Sequence, residues 1–257
     1  MIANYHTHTA RCHHATGTER EYIEKAIAEG LEVLGFSDHV PMPFADGHQS
    51  WHRIRMEELQ NYIRTLESLR EEYRGRIKLL IGFEAEYYPA VFEDMLALIS
   101  KYDYDYLILG QHYLGNEELE YPLGRGWEDE AFLARYVDQV CEGLSTGKFT
   151  YLAHPDNLKF VGDDAIYERQ MRRLCQTCLD LDIPLEINLL GLRAGRHYPS
   201  KRFFNIAADM GNKVVLGCDA HDPSEVAVPE NIRQGYELAK RCGLRVLDQI
   251  ELRNPKK

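Results

Sequence analysis

Ile2-Ala3-Asn4-Tyr5-His6-Thr7-His8 is a short β-like run that ends in two imidazoles. In extended chain, residues i and i+2 project to the same face, so His6 and His8 can reach one metal ion. The pattern then repeats. Residues 33–36 lead into Ser37-Asp38-His39, and residues 77–83 into Glu84. Residues 106–109 precede Gly110-Gln111-His112, and residues 150–153 precede His154-Pro155-Asp156. Residues 213–217 lead into Cys218-Asp219-Ala220-His221, and a further run spans 184–187. Each run is a few residues long and almost continuously apolar, as strands buried on both faces of a parallel sheet are.

Helical periodicity fills the gaps. Thr18-Glu19-Arg20-Glu21 has the form of a capping box, followed by Tyr22, Ile23, Ala26, Ile27 and Leu31 at helical spacing. Similar spacing predicts helices around 56–66, 132–144, 166–181, 204–210 and 232–239, with Gly147, Gly211 and Gly243 as stops. Strands alternating with helices predict one α/β domain over residues 1–257 with a parallel sheet. A closed or distorted (β/α) barrel fits the strand count better than the alternative, an open doubly wound sheet. In either, the C-terminal strand ends gather on one face, where the His, Glu and Asp residues would meet.

Composition bounds the function. The chain has 257 residues, 44% of them hydrophobic, enough for a large core. Its formal net charge of −11, with no basic block, argues against gripping nucleic acid or an anionic membrane. No apolar run approaches the roughly 18 residues of a membrane span, and the N-terminus lacks the pattern of a secretory signal. Six scattered cysteines read as reduced thiols of a cytoplasmic protein, and Cys175-x-x-Cys178 as two helix thiols.

Eleven histidines are many for this length, and their places matter more than their number. Imidazoles with a few carboxylates suit zinc, manganese or iron. The strand-end candidates, His6, His8, His39, Glu84, His112, His154, Asp219 and His221, are too many for one tetrahedral ion and suit two or three.

The set His6-x-His8, His14, Ser37-Asp38-His39, Gly82-Phe83-Glu84, His112, His154-Pro155-Asp156 and Asp219-Ala220-His221 resembles, in order, that of the PHP (polymerase and histidinol phosphatase) superfamily, and within it the histidinol-phosphate phosphatases. The resemblance implies a distorted (β/α)7 barrel and a trinuclear centre. One ion would sit on His6, His8, Glu84 and Asp219. A second would share Glu84 and take His112 and His154, and a third would take His14, His39 and His221. Glu86 rivals Glu84 because it shares its strand face. The resemblance selects Glu84, which follows Gly82-Phe83.

The same resemblance implies hydrolysis of L-histidinol phosphate, a small-molecule phosphate ester, with a hydroxide held between ions as nucleophile. Asp219 and His221 are the catalytic candidates. The stretch 186–193 resembles one ending in a phosphate-binding arginine, which points to Arg193, with Arg196 and His197 as fallbacks. Lys159 stands where the family often carries a basic residue. The loop 40–52, with Trp51, could cover the organic half of the substrate, while His48 and His52 match no ligand position. The competing readings are a PHP phosphoesterase for a sugar or nucleotide phosphate, a metal-dependent amidohydrolase, and a non-catalytic metal-binding scaffold.

Overall fold

The apolar runs pair in parallel from one end of the chain to the other. In this computed structural model, which describes residues 1–45, 47–117 and 123–256, β1 (Ala3–Asn4), β2 (Val33–His39), β3 (Lys78–Ala85) and β4 (Tyr106–Leu109) lie side by side in that order. A second parallel set holds β5 (Leu185–Asn188), β6 (Lys213–Gly217) and β7 (Arg245–Val246). Two links curl the sets into one distorted barrel. Leu152 bridges Leu109 on one side and Leu185 on the other, and Thr7 bridges Ala220.

The run 150–153, expected as a strand, contributes only that bridge, although its backbone bonds to both neighbours. It ends at once because His154 turns into the left-handed region, with φ of 29°. By contrast, β2 and β3 run past their expected ends. Their register makes His39 the direct partner of Glu84, so pairing itself sets two candidate ligands side by side.

Eight helices wrap the described part of the barrel: α1 (Glu19–Ala28), α2 (Leu59–Glu72), α3 (Phe92–Ile99), α4 (Glu130–Ser145), α5 (Asp164–Asp180), α6 (Leu189–Arg193), α7 (Lys201–Met210) and α8 (Pro229–Cys242). The capping box at Thr18 forms as the sequence predicts, with Glu21 closing it. α3, α6 and β7 have no counterpart in the sequence reading. α3 and α6, of 8 and 5 residues, are too short for the apolar spacing to repeat over several turns, and β7 has two residues.

One large core lies between strands and helices, and a smaller one fills the barrel around Tyr5, Tyr106, Ile108, Tyr151 and Val215. Ile250 and Leu252 pack against that inner core, and the Arg253 amide donates to Thr150 Oγ1. Leu252 and Arg253, at the start of a stretch that reads as a frayed polar tail, are thus laid against the barrel. No helix of the described residues is long and apolar enough to cross a membrane.

Candidate metal centre

Six chain segments end at one mouth of the barrel, and each delivers a nitrogen or oxygen donor. His6 and His8 follow β1, His39 closes β2, Glu84 lies at the end of β3, and His112 lies three residues beyond β4. His154 follows the Leu152 bridge, and Asp219 and His221 follow β6. His154 and Asp219 have φ of 29° and 47°. Non-glycine residues held there are strained, and such strain concentrates at functional sites. Space is tight as well. A Cβ on Gly110 would overlap the Glu84 carboxylate, and one on Gly217 would overlap Glu186.

Glu84 is the hub. Its Oε1 lies 2.8 Å from His154 Nε2 and 3.6 Å from His112 Nε2. Its Oε2 lies 3.4 Å from His6 Nε2, 3.5 Å from His8 Nε2 and 3.2 Å from His39 Nδ1. The two oxygens therefore face two different sets of imidazoles, as a carboxylate shared between ions must. Asp219 Oδ1 stands 3.1 Å from His8 Nε2 and 3.6 Å from His6 Nε2. Farther out, His14, His39 and His221 form a third group whose donor atoms lie within 4.8 Å of one another, with His14 and His221 Nε2 atoms 2.9 Å apart.

Behind the donors stands a layer of buried carboxylates. Glu186 accepts from His6 Nδ1 at 2.8 Å and from the His154 amide at 3.0 Å. Asp38 Oδ1 lies 3.4 Å from His8 Nδ1. Glu86 Oε1 holds His112 Nδ1 at 2.8 Å, one layer behind the hub. Asn188 Nδ2 donates to Glu186 and to Asp219 Oδ2, at 2.9 and 3.0 Å, which leaves Asp219 Oδ1 for the imidazoles. Partners of this kind fix which ring nitrogen carries the proton. The sequence reading gave Glu186 no role; an acid between Leu185 and Ile187 in a buried strand was the available signal.

These charges shape the titration of the chain without ions. Burial works against ionising Glu84 and Asp219, but the surrounding imidazoles outweigh it and hold both well below the usual carboxylate range. Burial likewise opposes protonating His6, but Glu186, Asp219 and Glu84 raise it well above the ordinary histidine value. For His8, Asp219 and Asp38 overcome burial in the same way. His39 is pushed well down by burial, and His221 to about 3 by burial and the neighbouring His8.

The donor set fits divalent cations. His6 Nε2, His8 Nε2 and His39 Nδ1 are buried and face carboxylates without making a hydrogen bond. Three ring nitrogens aimed at shared oxygens are what a group of cations would satisfy. Beside them opens a cavity of about 450 Å³, walled by Trp51, His52, Tyr113, Asn157, Arg196 and Tyr198 among others. His52, set aside in the sequence reading, lies on this wall, and burial next to Arg53 lowers its pKa to about 4. Trp51 is 70% exposed at the rim. Arg193 stands behind the wall, its Nη2 2.8 Å from Glu225, which lines the cavity. Lys159 is exposed and lies outside the lining.

The PHP domain family matches residues 4–189, which carry seven of the nine donors. The chain belongs to the PHP domain family. It is 30% identical over 246 residues to a probable histidinol-phosphatase of Deinococcus radiodurans, covering 88% of each chain. It is 27% identical to a histidinol-phosphatase of Bacillus subtilis, covering 86% of this chain and 94% of that one. Among solved structures, the histidinol phosphate phosphatase of Lactococcus lactis, complexed with zinc, L-histidinol and phosphate, superposes with a TM-score of 0.71 at 18% identity, covering 97% of each chain. That likeness fixes the PHP-type distorted barrel as the fold. Asp219 and His221 lie outside the matched span, so their place in this PHP centre rests on the geometry above.

Proposed function

We propose that this chain is a metal-dependent phosphomonoesterase that hydrolyses L-histidinol phosphate to L-histidinol and phosphate, and that residues 1–257 act as one catalytic unit. The observation that carries the reading is the convergence of nine donors, with Glu84 as their hub, at the floor of a small-molecule cavity. The curated relatives named above as histidinol-phosphatases supply the substrate. Two to three divalent ions of zinc, manganese or iron fit the donors. His6, His8, Glu84 and Asp219 would hold one, Glu84, His112 and His154 a second, and His14, His39 and His221 a third. When bound, such ions bring water toward ionisation at neutral pH and neutralise phosphate charge.

The chain's own residues supply the rest. Asp219 and His221 are both deprotonated at neutral pH in the chain without ions, Asp219 because His6 and His8 outweigh its burial and His221 because of burial. Both line the cavity, which makes them the candidates to relay a proton between the attacking water and the leaving alkoxide. Water adds to phosphorus as the ester P–O bond breaks. Arg193 is the phosphate-binding arginine in this reading. Its Nη1 and Nη2 are buried, with Nη2 paired to Glu225 on the cavity wall, so its planar fork would reach a phosphate as that pair opens. Arg196, on the wall, flanks it. Lys159 has a weaker claim because it is exposed outside the lining. Six free thiols suit the reducing cytoplasm.

A panel of phosphate monoesters assayed on metal-reconstituted protein tests the reading. L-histidinol phosphate should be cleaved with the highest kcat/KM. Cleavage no better than that of glycerol phosphate or p-nitrophenyl phosphate would refute the substrate. A sugar or nucleotide phosphate as best substrate would keep the chemistry and change the specificity.

A further inference from the structure

Arg53 is among the largest fully buried side chains of the molecule, only 2% exposed, and it follows directly on the loop that carries Trp51 and His52. A charge so deep persists only if it is paired. Arg53 has two partners from two other segments. Its Nη1 donates to Glu86 Oε2 at 2.6 Å, and its Nε donates to Glu117 Oε2 at 2.7 Å. Each carboxylate uses its other oxygen elsewhere. Glu86 Oε1 holds His112 Nδ1 at 2.8 Å, on the ring face opposite the hub. Glu117 Oε1 lies 3.2 Å from His48 Nε2, and its Oε2 lies 3.7 Å from His52 Nε2. One guanidinium thus joins a donor of the metal centre to the aromatic rim of the cavity.

We propose that Arg53 is a positioning residue with two separable arms. Through Glu86 it presents the Nε2 of His112 to a metal ion. Through Glu117 it sets the Trp51–His52 wall over the organic half of the substrate. The planar fork matters because an ammonium is a point donor and serves one carboxylate where a guanidinium serves two. The inference rests on the metal-dependent reading above.

The two arms predict different failures. Glu86→Gln should weaken zinc binding, measured by chelator competition, by about 10–100-fold at one site. Glu117→Gln should leave zinc affinity unchanged and raise KM for L-histidinol phosphate by about tenfold or more, since misplaced positioning groups are costly. Arg53→Lys keeps the buried charge and should show at least one of the two defects. Its combination with Glu117→Gln should raise KM by less than the product of the single effects. A merely structural Arg53 would lower thermal stability in all three variants while leaving zinc affinity and KM within about threefold of wild type, and that result overturns the proposal. Wild-type protein that takes up no zinc overturns the reading of the centre and this proposal with it. Uptake by wild type with unchanged variants overturns this proposal alone.

Discussion

The deep half of the centre and its outer half use the same imidazoles to opposite electrostatic effect. In the deep half, His6 and His8 are fully buried, and each has a buried carboxylate, Glu186 or Asp38, at its far nitrogen. Their pKa values are raised despite burial. In the outer half, His14 and His221 lean on backbone carbonyls, of Cys12 and Asp219 respectively, and His39 is buried among other imidazoles. All three are lowered, mainly by burial. Depth alone would push every one of these rings toward the neutral form. The carboxylates decide which of them charge.

The sharpest way to break this comparison is to remove the residue both halves share. Glu84→Ala should abolish activity, a loss of about a thousandfold or more, since metal-supplied charge stabilisation goes with it. Elemental analysis should show fewer ions per chain. Among the metal donors Glu86 touches only His112, so Glu86→Ala should cost about 10–100-fold. If Glu86→Ala were the dead variant and Glu84→Ala near normal, Glu86 would be the hub.

Next in size is the phosphate contact outside both halves. Arg193→Ala should lower kcat/KM by about 30- to 1000-fold, through KM and also kcat, because a bidentate charged contact serves substrate and transition state alike. Arg193→Lys should recover part of the loss. A change below about threefold would remove Arg193 from the reading and move the test to Arg196, which already faces the cavity.

How much of this was legible in the sequence differs along the same divide. Eight of the nine donors were visible because each follows an apolar run and the fold forces strand ends together; His14 was visible only through the family resemblance. Glu84 could be preferred to Glu86 only through the Gly82-Phe83 resemblance. Register explains the choice physically, since pairing with His39 places Glu84 at the mouth. The roles of the layer behind the donors were not legible, although Asp38 and Glu86 stood beside candidate ligands and Glu186 interrupted a buried strand. Glu186, Glu117 and Arg53 owe their roles to contacts across long stretches of chain, such as Arg53 with Glu117, 64 residues apart. A buried charge leaves no periodic signal of its own. The 150–153 run misled for a related reason. Its apolar character marks burial between two sheets, while its length as a strand is cut by the turn at His154.

The gentlest probe leaves every side chain of the deep half in place and varies pH. In the metal-free chain, His6 and His8 have folded pKa values above the ordinary histidine value, so near pH 6.5 both carry protons. A ligating imidazole must be neutral, so zinc uptake in the deep half releases protons and strengthens as pH rises from 6 to 8, by about tenfold per pH unit for each proton released. His14, His39 and His221 lie below the ordinary value and have already lost their protons. Uptake in the outer half should therefore change little over the same range. Zinc competition titrations at several pH values would separate the two when run on wild type and on His14→Ala, which weakens the outer group and leaves the deep half intact. The variant should keep the steep dependence and lose the flat component. Equal slopes for both components would mean that the buried carboxylates do not set the charge of His6 and His8, and the contrast between the halves would then be one of depth alone.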